Sequence, residues 1–358
     1  MISVIGAGPA GSYYASKEKH DDILLFEEDA SVGKPVSCTG IVTDSINKIM
    51  KVPNDSIVSK IKAYKIISPG NKQAFIKMKN PDLLLDRTIF DNHLCEKALD
   101  NGAKLHLNER FLRYKKISKS DYEIKTSKSS YNVNMIVGAD GPKSNVAVSA
   151  RIYGERQFAR GLQARCRHSN LEEGVATIYL NKGEFSWIVP ENSRTARVGV
   201  VGTNLEALKK AYSELIGKRK IIETQSGLIP LYNNRQLLKK PNENVFLMGD
   251  AATHVKATTY GGIIYGLIAA QNLAQDKEGY EKNTKKMISK ELWLSMKIRS
   301  ILNRMTDKQV DDLLWIIGKK RNIELLGKFD RNYPSAFLAK MAFSNPRLCW
   351  LGMKLIFN

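Results

Sequence analysis

A glycine-rich turn near the amino terminus constrains the fold of this 358-residue chain more than any other stretch. Residues 2–5 form an apolar run typical of a short buried strand. Gly6, Gly8 and Gly11 follow in the spacing G-x-G-x-x-G. The first glycine permits a tight turn, the second lets the backbone approach a pyrophosphate, and the third lets the next helix pack on the strand. The pattern predicts a dinucleotide held on the free N–H groups of that helix.

A second apolar run ends in an acidic residue at the distance that this fingerprint requires. Residues 23–26 are apolar and precede Glu27, about twenty residues after the glycines. A carboxylate at this position accepts hydrogen bonds from a ribose. The two features together favour a bound dinucleotide over a simple glycine turn.

Two later apolar runs also end beside an acidic residue and a glycine. Residues 135–138 precede Asp140. Residues 245–248 precede Gly249 and Asp250. Because parallel strands deliver their carboxyl ends to one crevice, we expect these residues to lie near the first glycine turn.

A long apolar helix is predicted to begin directly after Gly261 and Gly262. Its free N–H groups and positive dipole end can meet an electron-rich ring, and simple packing on the sheet is the alternative. An NAD enzyme usually needs only the first glycine turn, whereas FAD has two distant ends to hold. The second acidic position therefore favours FAD as the cofactor.

The composition is strongly basic. Lysine and arginine number 56 against 36 acidic residues, which gives a net charge of +20. This charge suggests an anionic partner, either nucleic acid or acidic lipid head groups, and a lysine-rich solvated surface is the alternative. No compact basic block or aromatic-basic pattern indicates a nucleic-acid site. No run reaches transmembrane length and the first strand leaves no room for a signal peptide, so we expect a cytoplasmic protein.

The cysteines indicate a reducing compartment. Cys38, Cys95, Cys166 and Cys349 are scattered and form no C-x-x-C pair, so neither a disulfide framework nor a metal site is expected. Cys38 lies in a loop, at residues 28–42, that can fold back over the cofactor. It is either a buried structural thiol or a group beside the reactive cofactor.

A helix is predicted to begin near residue 85. Asp86 or Thr88 can cap it, and Ile89, Leu94 and Ala98 are expected to face the core. Arg87, at the start of this helix, can hold a phosphate or the edge of a flavin ring. A surface arginine at a helix start is the alternative.

Pattern and composition predict an α/β protein in three parts. Strands are expected at 57–80, 104–125, 163–167, 176–180, 185–189 and 196–201, with helices at 206–216, 288–305, 307–318 and from 336. The parts are a Rossmann-like FAD-binding domain (1–150 and 236–276), an inserted antiparallel-sheet substrate domain (151–235, with strands from about 57–80) and a helical C-terminal region (277–358). Basic and apolar residues alternate in the tail, which can lie on an anionic bilayer or pack on the substrate domain.

With these residues in place, the chain resembles the geranylgeranyl reductase family of FAD proteins, which share the para-hydroxybenzoate-hydroxylase-like fold. The matching positions are spread over most of the chain: residues 6–11, Glu27, 35–40, 86–87, 90–91, 139–141, 249–252 and 259–263. Residues 185–190 resemble the family signature Y-x-W-x-F-P, with Phe185 and Val189 at its Tyr and Phe positions. Ala257 and Tyr260 depart from the family, which often has proline and a third glycine there.

The resemblance implies saturation of C=C bonds in geranylgeranyl chains, as in archaeal membrane-lipid precursors. Hydride would come from reduced flavin and a proton from a group near the other carbon, within an apolar tunnel that excludes water. Cys38 is the candidate catalytic donor, or it shapes the pocket. Substrate contacts are predicted for Phe185, Trp187, Pro190 and Tyr260.

The resemblance also assigns the cofactor contacts, with Arg87 on a phosphate or the ring and Asp250 on the ribityl chain. The predicted FAD contacts are Gly6, Gly8, Pro9, Ala10, Gly11, Glu27, Cys38, Gly40, Arg87, Asp140, Gly249, Asp250, Gly261, Gly262 and Ile263. Ferredoxin and NAD(P)H both stay open as electron donors. An FAD hydroxylase of the same fold is the main alternative function, and a non-catalytic flavoprotein or a nucleic-acid-binding module is another.

Overall fold

The computed structural model of the chain describes residues 1–19, 22–180, 185–336, 338 and 340. The predicted amphipathic tail from 336 therefore lies almost entirely outside the described residues. The described strands are β1 (Ile2–Ile5), β2 (Ile23–Phe26), β3 (Ile41–Val42), β4 (Ile57–Ile67), β5 (Gln73–Leu85), β6 (Lys104–His106), β7 (Phe111–Lys116), β8 (Tyr122–Thr126), β9 (Ser130–Val133), β10 (Met135–Gly138), β11 (Phe158–Arg167), β12 (Val175–Leu180), β13 (Phe185–Asn192), β14 (Thr195–Gly202), β15 (Ile221–Pro230) and β16 (Val245–Leu247).

The described α-helices are α1 (Pro9–Lys17), α2 (Arg87–Asp100), α3 (Asn145–Ser149), α4 (Leu205–Ile216), α5 (Ile263–Gln275), α6 (Tyr280–Thr284), α7 (Lys290–Arg304), α8 (Asp307–Ile317) and α9 (Lys320–Lys328). A π-helical turn, Lys285–Ser289, joins α6 to α7. The helix predicted at 288–305 therefore begins in this turn. Helix α9 is an element that the sequence analysis did not predict.

Five strands form a parallel sheet in the order β16-β10-β1-β2-β6. Every residue of β1, β2, β10 and β16 is buried, as expected for a sheet covered on both faces. Helices α1 and α5 pack against each other beside this sheet. The continuous apolar runs in the sequence come from this burial, and the Rossmann-like prediction is confirmed.

A second, eight-stranded sheet has the order β15-β11-β14-β13-β12-β4-β5-β3. It is antiparallel except where β4 pairs with β12 in parallel. The strands predicted near 57–80 thus join the strands predicted at 163–201 in one sheet, here called the large sheet. The domain boundaries themselves stay a prediction. Strand β15 was not predicted from the sequence, because its polar residues Glu223 to Gln225 conceal the strand pattern.

Helix starts follow the capping rules. Asp86 caps α2, since its carboxylate accepts the N–H groups of Thr88 and Ile89. Thr306 caps α8 with a complete capping box formed with Gln309. The expectation that Ile89 faces the core was wrong: Ile89 is 39% exposed, because the buried face of α2 is formed by residues such as Phe90, Leu94 and Ala98.

A buried ion pair ties the large sheet to the loop that carries Cys38. Arg197 Nε donates to Glu191 Oε1 at 2.8 Å, and both side chains are almost fully buried. Arg197 Nη1 also donates to the carbonyl oxygens of Thr39, at 2.6 Å, and Leu85, at 2.9 Å. Arg165, whose side chain is partly exposed, also donates to Glu191 Oε1 at 2.8 Å. Removal of one buried charge leaves its partner without full compensation.

Arg197→Met is expected to lower the free energy of unfolding by about 3 kcal/mol, because Glu191 stays buried with only the partly exposed Arg165 beside it. Urea unfolding of the ligand-free protein measures the loss. Arg167→Met, at the exposed end of β11, should change stability by less than about 0.5 kcal/mol. Equal stabilities of the two variants would show that the buried pair does not hold the loop.

Candidate active site

A cavity of about 790 Å³ joins the carboxyl end of the parallel sheet to one face of the large sheet. The parallel sheet contributes the loops after β1, β10 and β16, and the large sheet contributes mainly apolar side chains. The predicted residues that line the cavity are Gly8, Pro9, Ala10, Cys38, Gly40, Arg87, Gly249, Asp250, Gly261, Gly262, Ile263, Phe185, Trp187 and Tyr260. Residues from distant parts of the sequence are thus brought to one site.

The three glycines of the first turn have different environments. Gly6 has φ +99°, and a Cβ there would collide with the carbonyl oxygen of Ala139. A Cβ on Gly11 would collide with the carbonyl oxygen of Gly6. Gly8, in contrast, has open space beside it and lines the cavity. The arrangement fits the requirements of a pyrophosphate at the start of α1, because only Gly8 faces the place where a ligand would lie.

Glu27 lies just outside the cavity lining, at the end of β2. Its carboxylate accepts the N–H of Ala7 at 3.0 Å and the N–H of Asp29 at 3.1 Å. Burial raises the pKa of Glu27, and the two backbone N–H groups oppose this rise. Glu27 therefore holds the glycine turn, and a carboxylate beside that turn is suited to a ribose.

Asp140 has a different local role from the one expected. Its carboxylate accepts Ser144 Oγ at 2.6 Å and the N–H of Val146 at 3.0 Å, so it holds the start of α3. Asp140 does not line the cavity, whereas its neighbours Ala139 and Gly141 do. The structure thus brings the backbone of this motif, and not its carboxylate, to the site.

Asp250 lines the cavity between the end of β16 and the start of α5. Its Oδ1 lies 3.0 Å from the position of a Cβ on Gly262, at the start of α5. Burial raises the pKa of Asp250 to about 6, and Arg87 and Arg156 oppose this rise. Arg87 itself is held by Asp91 through two hydrogen bonds of 2.9 and 2.7 Å. The Asp91 carboxylate therefore fixes the direction of the Arg87 guanidinium in the cavity wall.

The Cys38 loop is fixed to the large sheet by hydrogen bonds. The N–H of Gly40 donates to Cys38 Sγ at 3.3 Å, and Thr39 Oγ1 donates to Gln163 Oε1 at 2.8 Å. Arg87 and Cys38 line the same cavity. Cys38 is partly exposed, as a group that must meet a ligand has to be.

Gln163 is a polar residue on the mainly apolar face of the large sheet that lines the cavity. It accepts the indole N–H of Trp187 at 2.9 Å as well as the Thr39 hydroxyl, and it donates to Gln225. Sequence analysis did not identify Gln163 or Gln225, because a polar residue on a half-buried strand carries no motif. Their contacts depend on the pairing of β11 with β15.

The predicted aromatic residues meet at the cavity. Phe185 lies 5.8 Å from Trp187 and 6.0 Å from Tyr260, measured between ring centroids. Gly199, opposite Trp187 on β14, leaves the room that the indole occupies. Tyr260 has φ +54°, so the backbone keeps the left-handed conformation for which a glycine is favoured.

Pro190, the fourth predicted substrate contact, does not line the cavity. Successive side chains of a strand point to opposite faces, so Pro190 lies on the other face of β13 from Trp187. It is buried there, and its carbonyl oxygen accepts Ser59 Oγ at 3.0 Å. Its observed contact therefore joins β13 to β4.

The described residues contain neither a group of three or more potential metal-ligating side chains nor a helix long and apolar enough to span a bilayer.

Three cationic side chains that the sequence analysis did not identify, Lys256, Arg299 and Arg331, line the cavity. Arg299 lies 5.5 Å from the centre of the Phe185 ring. No sequence motif marks these residues, which reach the site from α7 and two loops.

The fold is shared with solved structures of flavin-dependent enzymes, among them a flavin-dependent halogenase (TM-score 0.66, 14% identity, 92% of this chain and 73% of that chain). A geranylgeranyl bacteriochlorophyll reductase-like protein from Thermoplasma acidophilum superposes with a TM-score of 0.82 at 20% identity, over 99% of this chain and 98% of that chain. The predicted α/β architecture is therefore confirmed.

The curated relatives are more specific. Digeranylgeranylglycerophospholipid reductase 3 of Methanosphaera stadtmanae is 26% identical over 91% of this chain and 93% of its own length. The digeranylgeranylglycerophospholipid reductase of Methanosarcina acetivorans is 24% identical over 100% and 96%. No family model matches the chain. The resemblance to geranylgeranyl reductases that the sequence motifs indicate is confirmed over nearly the full length.

Asp250 gives the ligand-free protein a pH-dependent stability. Its folded pKa of about 6 exceeds the ordinary 3.8, so the folded state binds the proton more tightly. The resulting stability is fully present below about pH 4 and is lost as pH rises through 6. Relative to Asp250→Asn, the wild-type protein should lose roughly 2 kcal/mol between pH 4 and pH 7.

Urea unfolding of both proteins at the two pH values measures this difference. Asp55→Asn, which changes an exposed carboxylate, serves as the control and should follow the wild-type pH profile. If Asp250→Asn also follows the wild-type profile, the carboxyl is not desolvated in the folded protein.

Proposed function

We propose that this protein is an FAD-dependent reductase that saturates C=C bonds in the geranylgeranyl chains of archaeal membrane-lipid precursors. The observation that carries the proposal is the continuity of the cavity. One end is formed by glycine turns suited to a dinucleotide, and the other by apolar side chains suited to a prenyl chain. The names of the curated relatives supply the substrate class.

The residues present fit FAD. The start of α1 beside Gly8 would hold the pyrophosphate, and Glu27 lies where a ribose is expected. The start of α5, at Gly261 and Gly262, would direct N–H groups and the positive dipole end to the ring. The bound flavin, once reduced, supplies hydride to the alkene carbon.

The chain's own residues would provide binding, orientation and a proton. The large sheet would receive the prenyl chain on Ile66, Ile76, Met78 and Ile178, which face the cavity. Phe185 and Trp187 would exclude water from the reacting carbons. We assign the proton to Cys38 Sγ, because this thiol lines the cavity and is partly exposed.

The proposal extends to partners and location. The net charge of +20 would attract the protein to acidic head groups on the inner face of the cell membrane, where its lipid substrate lies. Ferredoxin and NAD(P)H are both retained as electron donors, because the sequence contains neither a cysteine cluster nor a second dinucleotide fingerprint. Binding of nucleic acid is not part of the proposal.

The purified protein is expected to be yellow and to release FAD on denaturation. After chemical reduction and incubation with a digeranylgeranylglycerol phospholipid, mass spectrometry should show hydrogen gained in steps of two per chain. A colourless protein that does not bind FAD would refute the proposal.

A hydroxylase on the same fold is the second candidate, because an anhydrotetracycline hydroxylase from Streptomyces rimosus shares the architecture (TM-score 0.62). That function predicts oxygen consumption coupled to NADPH oxidation and a product that gains oxygen. Reductase activity instead predicts turnover under anaerobic conditions, so the two candidates give opposite results in one assay.

Cys38→Ala is expected to slow lipid reduction by about 10²-fold, the usual contribution of a positioned general acid, while flavin binding is retained. Single-turnover oxidation of the reduced protein by the lipid measures the rate. Cys166→Ala removes a buried thiol outside the cavity lining and is the matched control. An undiminished rate in Cys38→Ala would assign the proton to another group.

A further inference from the structure

A lysine side chain is buried in the wall of the cavity. Lys256 is only 4% exposed and lies in the loop between β16 and α5. Its N–H donates to the carbonyl oxygen of Gly261 at 3.2 Å, so the loop closes on itself. Its Cε and Nζ lie 3.2 and 3.7 Å from the position of a Cβ on Gly261. The amine is therefore held directly beside the glycines that begin α5.

The amine has an oriented neutral partner. Lys256 Nζ donates to Asn332 Oδ1. The Asn332 amide is itself fixed, because its Nδ2 donates to Thr43 Oγ1 at 2.7 Å and its backbone oxygen accepts the Tyr265 hydroxyl at 2.6 Å. Within the described ranges, no carboxylate forms an ion pair with this amine. A buried ammonium without a counter-charge is costly, so the site favours an anionic ligand.

Burial weakens the hold of the amine on its proton. Burial and the neighbouring Arg331 together lower the pKa of Lys256 to about 7, whereas Asp330 and Asp82 oppose the shift. Asp82 is already paired with Arg331. Arg299, from α7, adds a further cation to the same cavity wall. Small changes in the charge of a bound ligand would therefore change the protonation of Lys256.

A second source of positive potential lies at the same place. Helix α5 has 13 residues and begins at Ile263, with its amino-terminal end in the cavity wall. The positive end of its dipole and the Lys256 amine thus converge beside Gly261. A ligand atom placed there experiences both, and it is stabilised most when it is negative.

We propose that Lys256 binds the negative charge that the flavin ring gains on reduction and becomes protonated in the same step. The inference rests on the proposed function, because it takes flavin as the ligand at α5. On gaining two electrons and one proton the ring would become an anion; a hydride donor supplies all three together, whereas with dithionite or ferredoxin the proton comes from solvent. The Lys256 amine would take one further proton from solvent. Lys256 thereby favours the reduced, hydride-donating state of the cofactor over the oxidised state.

Redox titration of the flavin-loaded protein tests this assignment without any lipid. Dithionite with a reference dye, from pH 6.5 to pH 9, gives the midpoint potential of the wild type and of Lys256→Met. At pH 6.5 the variant is expected to bind reduced flavin at least about tenfold more weakly than the wild type does. Binding of oxidised flavin should be nearly unchanged. A tenfold change corresponds to about 30 mV for a two-electron couple.

The pH dependence has a defined sign. Lys256 has a pKa of about 7 in the ligand-free protein. We therefore expect the oxidised wild-type protein to lose this proton above about pH 7, so that its reduction takes up one proton more than reduction of the variant. The difference in midpoint potential between the wild type and Lys256→Met should therefore shrink by about 30 mV per pH unit, which corresponds to a tenfold change in relative affinity for reduced flavin. Lys256→Arg, which stays charged, should keep a high potential but lose the additional proton.

Lys51→Met removes one exposed positive charge and is the matched control, with an unchanged potential expected. Flavin-loaded Lys256→Met with the potential and pH slope of the wild type would overturn the inference while leaving the proposed function intact. Lys256→Arg that retains the additional proton would overturn it as well. A wild-type protein that binds no flavin would instead refute the proposed function, and the inference with it.

Discussion

The site depends on the close crossing of helix α1 over strand β1 at Gly6 and Gly11. Neither position has room for a side chain, because carbonyl oxygens of Ala139 and Gly6 occupy the space. This contact fixes the position of the turn between β1 and α1, so that the backbone of Gly8 lines the cavity. It also brings the loop after β10 against the loop after β1, since the two strands are adjacent in the parallel sheet. The dinucleotide end of the site is thus a consequence of backbone packing.

The other half of the site is formed by the large sheet, which includes strands from two separate parts of the sequence. Strands β4 and β5 lie between elements of the parallel-sheet region in sequence, yet they belong to the large sheet. Arg197 and Gln163 then hold the Cys38 loop against that sheet. Because both contacts end on the same short loop, the thiol is placed where the apolar face meets the glycine turns. Lys256 and α5 close the cavity from the side of the proposed flavin.

Local patterns were sufficient for much of this arrangement. Buried parallel strands appear in the sequence as short apolar runs, and Asp86 and Thr306 occupy cap positions that have strong side-chain preferences. The predicted orientation was wrong for Ile89, which is exposed. The side chains of Pro190 and Asp140 do not line the cavity, and the Asp140 carboxylate instead accepts hydrogen bonds from Ser144 and Val146 at the start of α3. Sequence patterns placed each residue in its element, but the direction of its side chain depends on the packing around that element.

By itself the sequence determined the glycine turns and the apolar strands, because these depend on backbone conformation and on local periodicity. The aromatic signature at Phe185 and Trp187 was indicated by the resemblance to the geranylgeranyl reductase family. Only the tertiary structure decided that Lys256, Gln163, Arg299 and Arg331 line the same cavity. Their proximity arises from strand order and helix packing, which no short motif encodes. A buried lysine becomes informative only when its surroundings are known, since desolvation and neighbouring charges change its proton affinity.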